Sequence, residues 1–91
     1  MIERITKNEE RLDRIKNCIK QMEEALSNMK DIQKDLALLN KYYGSKNWFK
    51  DKEAYEQGKI PKIKAGVLSE HAIWNMNEEY KDLIVEMKEM I

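Results

Sequence analysis

Residues 2–43, IERITKNEERLDRIKNCIKQMEEALSNMKDIQKDLALLNKYY, decide the fold of this chain. Their apolar residues recur at spacings of three and four, and the stretch contains neither glycine nor proline. This pattern is typical of an amphipathic helix, so we predict one long helix over residues 1–43. Two columns of a heptad repeat form its apolar face. The first column is Ile5, Leu12, Ile19 and Leu26, and the second is Asn8, Ile15, Met22 and Met29.

The heptad repeat does not continue unchanged to the end of this stretch. Between Met29 and Ile32 it slips by three residues, a change that overwinds a coiled coil locally. Ser27 and Asn28 stand just before the slip and are poor residues for a helix interior. We expect any break in the long helix to fall there.

After the long helix, turn residues divide the chain into short segments. Gly44 is expected to end the long helix in a left-handed conformation. Ser45 then caps a short helix over residues 46–57. Gly58, followed by Pro61, ends that helix and begins a loop to residue 68. We name residues 44–68 the aromatic connector.

The last segment, residues 69–91, is predicted to be a C-terminal helix capped by Ser69. We expect Val67 and Leu68 to insert under the connector. The apolar residues of this helix keep a regular 3-4-3-4-3 spacing and are Ile73, Met76, Tyr80, Leu83, Met87 and Met90. The predicted fold is all-α and a single helical domain over residues 1–91. The long helix, the short middle helix and the C-terminal helix form an antiparallel hairpin or bundle, completed by oligomerisation.

The charge of the chain favours no general class of charged partner. Its 17 basic and 17 acidic residues balance, so neither nucleic acid nor an anionic membrane should attract it strongly. The segment from residue 41 to 64 is locally basic, with seven lysines against three acids. No signal peptide or membrane-spanning run is evident, and we expect a cytoplasmic protein.

Residue types that commonly carry catalysis or bind metals are sparse. Cys18 is the only cysteine and His71 the only histidine, so neither a cysteine-based metal site nor a His-based triad can form. The three Glu-Glu pairs lack the Glu-x-x-His partners of di-metal bundles and are typical of solvated helix faces. We therefore expect no enzymatic activity, no cofactor and no metal.

The most informative local feature is the density of aromatic residues around the connector. Five of the seven aromatic residues lie within fourteen positions, interleaved with lysines. We favour a structural role, with Trp48 and Phe49 supplying core and Trp48 packed near Leu36, Leu39 and Tyr43. The alternative is a stacking platform for a nucleotide or small ligand. Its candidate site residues are Tyr42, Tyr43, Ser45, Trp48, Asp51, Tyr55 and Glu70.

The second half of the chain also carries an ordered set of short motifs. They are Tyr42-Tyr43-Gly44-Ser45, then Trp48 and Asp51, then Gly58 with Pro61, then Gly66-Val67-Leu68-Ser69-Glu70 and Ala72-Ile73. With these motifs the whole chain resembles a family of small, mostly bacterial proteins catalogued as domain of unknown function 4298. The resemblance implies a helical fold and supplies no activity. In that family an acid usually follows the Ser-Glu pair, whereas His71 stands here, which argues against an essential acid at this position.

The predicted long helix is about twice as long as the C-terminal helix that would pack on it. A helix of about 42 residues spans roughly 63 Å, whereas one of about 22 residues spans roughly 33 Å, so the N-terminal apolar face lacks a cover within the chain. We predict a non-enzymatic structural or protein-interaction module that self-associates as an antiparallel homodimer or higher oligomer and also contacts an unidentified protein partner. A ligand-binding or nucleotide-binding module is the alternative, and we do not expect nucleic acid as a partner. The predicted oligomer interface comprises Ile2, Ile5, Leu12, Ile15 and Ile19.

Overall fold

The computed structural model describes residues 1–91 and contains four α-helices, one 3₁₀ turn and no strand. The prediction of an all-α fold is confirmed. None of the helices is both long and apolar enough to cross a membrane. The chain divides into two compact units, Met1–Leu36 and Ala37–Ile91. The helices are α1 (Ile2–Asp31), α2 (Gln33–Tyr42), α3 (Lys46–Glu56) and α4 (Ala72–Glu89), with the 3₁₀ turn at Gly66–Leu68.

Unit 1 consists of α1 and the start of α2. The long helix predicted over residues 1–43 is interrupted once, because Ile32 leaves helical geometry with φ −92° and ψ 3°. The break lies at the slip in the heptad repeat, not at Ser27 and Asn28. The side chain of Gln33 donates a hydrogen bond of 2.9 Å to the carbonyl oxygen of Met29, the acceptor that the backbone N–H of Gln33 uses in a regular helix.

Unit 1 contains no buried side chain in α1. An exposed ion pair of 3.5 Å joins Lys7 to Glu3 across its first turns, and a pair of this kind adds only about 0.2–0.5 kcal/mol to a helix. Thr6 Oγ1 donates a hydrogen bond of 3.1 Å to the Ile2 carbonyl oxygen, a contact that does not stabilise a helix. The helix therefore draws no tertiary support from unit 1 itself.

In unit 2 the turn residues act as predicted around α3. Gly44 has φ +76° and Gly58 has φ +70°, both in the left-handed region. The Ser45 hydroxyl accepts a hydrogen bond of 3.2 Å from the backbone N–H of Trp48 and so caps the helix. At the other end, the N–H of Lys59 donates to the Ala54 carbonyl oxygen, which is the Schellman arrangement with Gly58 after the last turn. The helix ends at Glu56, one residue before the predicted end.

The C-terminal helix begins later than predicted. We expected it to span residues 69–91 with Ser69 as its cap, but α4 starts at Ala72 and ends at Glu89. Gly66–Leu68 forms a 3₁₀ turn, and Ser69 after it has extended backbone angles. The Ser69 hydroxyl accepts a hydrogen bond of 3.3 Å from the N–H of His71, so it stabilises the turn before α4 and not the helix itself.

The buried core of the molecule lies wholly within unit 2. Three apolar side chains are buried: Trp48 is 4% exposed, Leu68 8% and Ile73 3%. The expectation for Leu68 is confirmed, whereas Val67 is exposed. The chain around α2 and the start of α4 runs antiparallel, since Asn40 and Asn77 exchange two side-chain hydrogen bonds of 3.3 and 2.7 Å while Tyr43, which follows Asn40, contacts Glu70, which precedes Asn77.

Candidate functional site

Trp48 is the centre of the aromatic connector. It lies in the first turn of α3, and the cap at Ser45 fixes where that turn begins. Its indole Nε1–H donates a hydrogen bond of 2.8 Å to the carbonyl oxygen of Val67. Because Trp48 is buried and its one polar group is satisfied, this ring ties α3 to the 3₁₀ turn. The predicted burial of Trp48 is confirmed.

Two aromatic rings and one cation surround the Trp48 indole. Tyr43 packs edge to face with a centroid distance of 5.3 Å, and Phe49 does so at 4.9 Å. Lys52 Nζ lies 5.2 Å from the ring centroid, within the range of a cation–π contact. Phe49 itself is 61% exposed, so the prediction that it supplies core is wrong. Of the two rings that contact Trp48, Phe49 belongs to the connector and Tyr43 lies just before it, so both contacts are made within unit 2.

A second set of contacts links Tyr43 and Lys52 to Glu70. The Tyr43 hydroxyl donates a hydrogen bond of 2.7 Å to the backbone carbonyl oxygen of Glu70. Lys52 Nζ forms an ion pair of 2.8 Å with Glu70 Oε1. The hydrogen bond from Lys52, followed by its positive charge, lowers the pKa of the Glu70 carboxyl. The Glu70 side chain is mostly exposed, so this pair contributes little stability.

Tyr42 and Asp51 form the remaining side-chain pair. The Tyr42 hydroxyl donates a hydrogen bond of 2.7 Å to Asp51 Oδ2, joining the end of α2 to the middle of α3. Partial burial first, then the hydrogen bond and the negative charge of Asp51, raises the pKa of Tyr42 above its ordinary value of 10.0. The pair therefore favours the neutral phenol at physiological pH.

The structure brings most of the predicted site residues together, but their polar groups bond to one another. Six of the seven contribute a side-chain hydrogen bond within unit 2, and Tyr55 alone contributes none. Lys52, which contacts both Trp48 and Glu70, was missing from the predicted set. Its i, i+4 spacing from Trp48 in α3 is the sequence signal that could have indicated it. No group of three or more His, Cys, Asp or Glu side chains is arranged to hold a metal ion.

Two concavities adjoin the connector. The smaller, of about 180 Å³, is lined by three polar side chains, Tyr42, Asp51 and Lys64, and by apolar residues of α3, the loop and the 3₁₀ turn. The larger, of about 340 Å³, is lined by apolar residues with Lys64 as the only charged one. Ligand pockets usually span about 300–1,000 Å³ and offer several convergent polar groups. Neither concavity combines that volume with such a set.

The other candidate surface is the apolar face of α1. Six core-position side chains of the heptad repeat are each between 47% and 58% exposed. We name them the α1 apolar face, and they are Ile5, Leu12, Ile15, Ile19, Met22 and Leu26. All five residues predicted for the oligomer interface are exposed, Ile2 being the most exposed of them. A single helix therefore displays an exposed apolar stripe, which Asn8 alone interrupts among the core positions.

Comparison with known proteins gives one result. Residues 5–90 match the family described as "Domain of unknown function (DUF4298)". No curated protein and no solved structure matches the chain significantly. Since the match covers nearly all of the 91 residues, including the connector motifs and the α1 apolar face, the chain belongs to the family of domain of unknown function 4298.

Proposed function

We propose that the protein is a non-enzymatic, cytoplasmic protein-interaction module that self-associates through the α1 apolar face. The observation that carries the proposal is the exposure of this face on a helix of 30 residues without a buried side chain. An isolated helix is marginally stable in water, and most helical stability in proteins comes from packing an amphipathic face. A partner helix supplies that packing.

The size of the α1 apolar face supports a partner of comparable length. Each half-exposed side chain displays on the order of 100 Å², so the six together present roughly 600 Å² per chain. The largest apolar patch on a typical monomeric protein is about 300–600 Å², so this face is at the upper end of that range, and each partner in a standard interface contributes about 800 Å². With Ile2 and the flanking side chains added, a second copy of α1 fits this requirement.

The alternative of a small-ligand or nucleotide-binding module has less support. The polar groups of Tyr42, Tyr43, Trp48 and Asp51 are already engaged within the chain, and the Trp48 ring is buried. A stacking platform needs an exposed aromatic face beside free polar groups. Of the predicted site residues, only Tyr55 combines an exposed ring with a hydroxyl that makes no hydrogen bond in the chain.

The test is the mass of the full chain in solution. Sedimentation equilibrium at micromolar concentration should give at least twice the chain mass of 10.9 kDa. Leu12→Glu places a charge in the α1 apolar face, and burying such a side chain contributes about 1.5–3 kcal/mol. This variant should be monomeric and should lose helical circular dichroism, because α1 has no other packing.

Asn17→Glu is the matched control, since it adds the same charge at a heptad position on the opposite side of the helix. It should leave both mass and helix content unchanged. A wild-type chain that sediments as a single species near 10.9 kDa would falsify the proposal.

A further inference from the structure

One flank of the α1 apolar face carries a column of charges that alternate in sign. Glu9, Lys16, Glu23 and Lys30 occur every seven residues, each directly after a residue of the second core column. None of the four forms an ion pair or side-chain hydrogen bond within the chain, and the one ion pair of α1 joins Lys7 to Glu3. We name these four residues the charged flank.

We propose that the partner on the α1 apolar face is a second copy bound antiparallel, about a two-fold axis beside Asn17. In this arrangement Glu9 pairs with the partner's Lys30, and Lys16 pairs with the partner's Glu23. The inference rests on the proposed self-association and fixes its orientation and register. Flanking charges of this kind set partner choice and orientation in coiled coils.

The core positions of the two α1 helices also pair about this two-fold axis. When one helix is reversed about a point beside Asn17, each residue of the first core column lies opposite one of the second. Ile5 then lies opposite the partner's Met29, and Ile19 opposite the partner's Ile15. All eight core positions are used on each chain. A symmetric dimer requires that core and flanks share one axis.

Side-chain direction selects the opposite-charge pairs. About this axis, Glu9 lies between the partner's Glu23 and the partner's Lys30 along the helix. Since Cα–Cβ bonds tilt toward the N-terminus of their own helix, Glu9 and the partner's Lys30 lean toward each other. Glu9 and the partner's Glu23 lean apart. The same geometry brings Lys16 to the partner's Glu23, giving two kinds of attractive pair, each present twice.

A parallel, in-register dimer has no such complementarity. There the charged flank faces the partner's opposite flank, whose first residues are Arg4 and Arg11. Glu9 would meet the partner's Arg4, but Lys16 would meet the partner's Arg11. One attraction is offset by one repulsion in each half of the dimer. Charge therefore favours the antiparallel arrangement.

The first test reverses the charge of Lys16 and asks whether the dimer becomes weaker or tighter. Lys16→Glu turns two attractive cross-chain pairs into repulsive ones, so the dimer dissociation constant of the full chain should rise roughly tenfold at low salt. In a parallel dimer the same change removes the repulsion with the partner's Arg11 and tightens the dimer. Within its own helix Lys16 lies between Asp13 and Lys20, so the intrahelical charge balance changes little.

Two variants control for other effects of charge. Lys20→Glu makes the same charge change outside the flanks and should leave the dissociation constant within about threefold of the wild type. Lys16→Glu combined with Glu23→Lys restores opposite charges and should recover wild-type affinity to the same margin. Failure of the double variant to recover affinity would overturn the proposed pairing.

The second test measures distances between the two copies by pulsed electron paramagnetic resonance. A spin label on the native Cys18 lies next to the axis, so the label-to-label distance should be below about 20 Å, since packed helix axes are about 10 Å apart. A label at residue 3, in Glu3→Cys with Cys18→Ser, should give about 42 Å, from about 28 residues along the axis.

The outcomes separate the two proposals. A monomeric wild-type chain without an intermolecular distance overturns self-association itself. A dimer with short distances at both positions, or one that Lys16→Glu tightens, overturns only the antiparallel arrangement. A dimer with any other pair of distances overturns the register.

Discussion

The two units of the chain differ in how far they bury their apolar residues. Unit 1, Met1–Leu36, has no aromatic residue, and no side chain of α1 is buried. Unit 2, Ala37–Ile91, contains all seven aromatic residues and all three buried ones. Both carry apolar residues at helical spacings, so periodicity alone does not distinguish a face that the chain covers from one that it leaves exposed.

Unit 2 buries apolar residues because it contains the aromatic connector. In unit 2 a 3₁₀ turn and a large ring bring residues distant in sequence together, as in the hydrogen bond from Trp48 to the Val67 carbonyl oxygen. In unit 1 the side-chain contacts described above join residues only four positions apart. Tryptophan fluorescence therefore reports on unit 2 alone, while circular dichroism reports on both units. The two signals together can test the contrast directly.

The largest expected effect comes from removing the central ring of unit 2. Trp48→Ala deletes a side chain that is 4% exposed and leaves the Val67 carbonyl oxygen without its donor. Truncating a buried Trp costs about 3–5 kcal/mol, a large part of the stability of a small domain. Urea unfolding, followed by the emission of the remaining Trp74, should show unit 2 unfolded or nearly so.

Trp74→Ala is the matched control, because Trp74 lies in the same unit and is 55% exposed. It should shift the urea midpoint, read from Trp48 emission, far less than Trp48→Ala does. Equal shifts for the two variants would show that burial in unit 2 does not have the energetic weight assigned to it.

A second comparison separates packing from capping at the start of α4. Leu68 is buried, and Leu68→Ala should destabilise unit 2 by about 2–5 kcal/mol. Ser69→Ala removes one exposed hydrogen bond to the N–H of His71 and should cost at most about 1 kcal/mol. Leu83→Ala, at an exposed position of α4, controls for the loss of leucine as such. If Ser69→Ala were the more damaging change in urea unfolding, the core of unit 2 would lie elsewhere.

Sequence reasoning succeeded where one residue's backbone chemistry decides the structure. Gly44 and Gly58 take left-handed angles that other residues adopt only at a cost, and Ser45 caps α3 with its own hydroxyl. Trp48 is predicted to be buried because a short helix lacks a core of its own and needs large rings to supply one, an expectation that holds for Trp48 and not for Phe49. These predictions need no knowledge of distant neighbours.

Sequence reasoning failed where a choice depends on neighbours. Ser27 and Asn28 have low helix propensity, yet the helix continues through them and breaks at Ile32, where the repeat slips. Phe49 is as apolar as Trp48 but lies on the exposed side of α3. Lys52 gained its role from two groups, Trp48 and Glu70, that lie together only in the folded chain. Propensity and composition do not contain this information.

The smallest expected effect tests the polar contacts of unit 2 through pH. The raised pKa of Tyr42 means that the fold favours the neutral phenol, so this stabilisation is complete below the ordinary value of 10.0 and is lost as pH rises through the higher folded pKa. Tyr42→Phe should cost about 0.5–1.5 kcal/mol at pH 8 by removing the hydrogen bond to Asp51. Above pH 10 the wild type should lose stability faster than this variant, so that the two urea midpoints converge.

The wild type and Tyr42→Phe contain the same lysines, and the difference between their midpoints therefore isolates the titration of the Tyr42 phenol. Tyr55→Phe, at a position whose hydroxyl makes no hydrogen bond, should leave the wild-type pH profile unchanged. Midpoints of wild type and Tyr42→Phe that stay equally far apart from pH 8 to pH 11 would show that the Tyr42–Asp51 contact does not hold the phenol neutral.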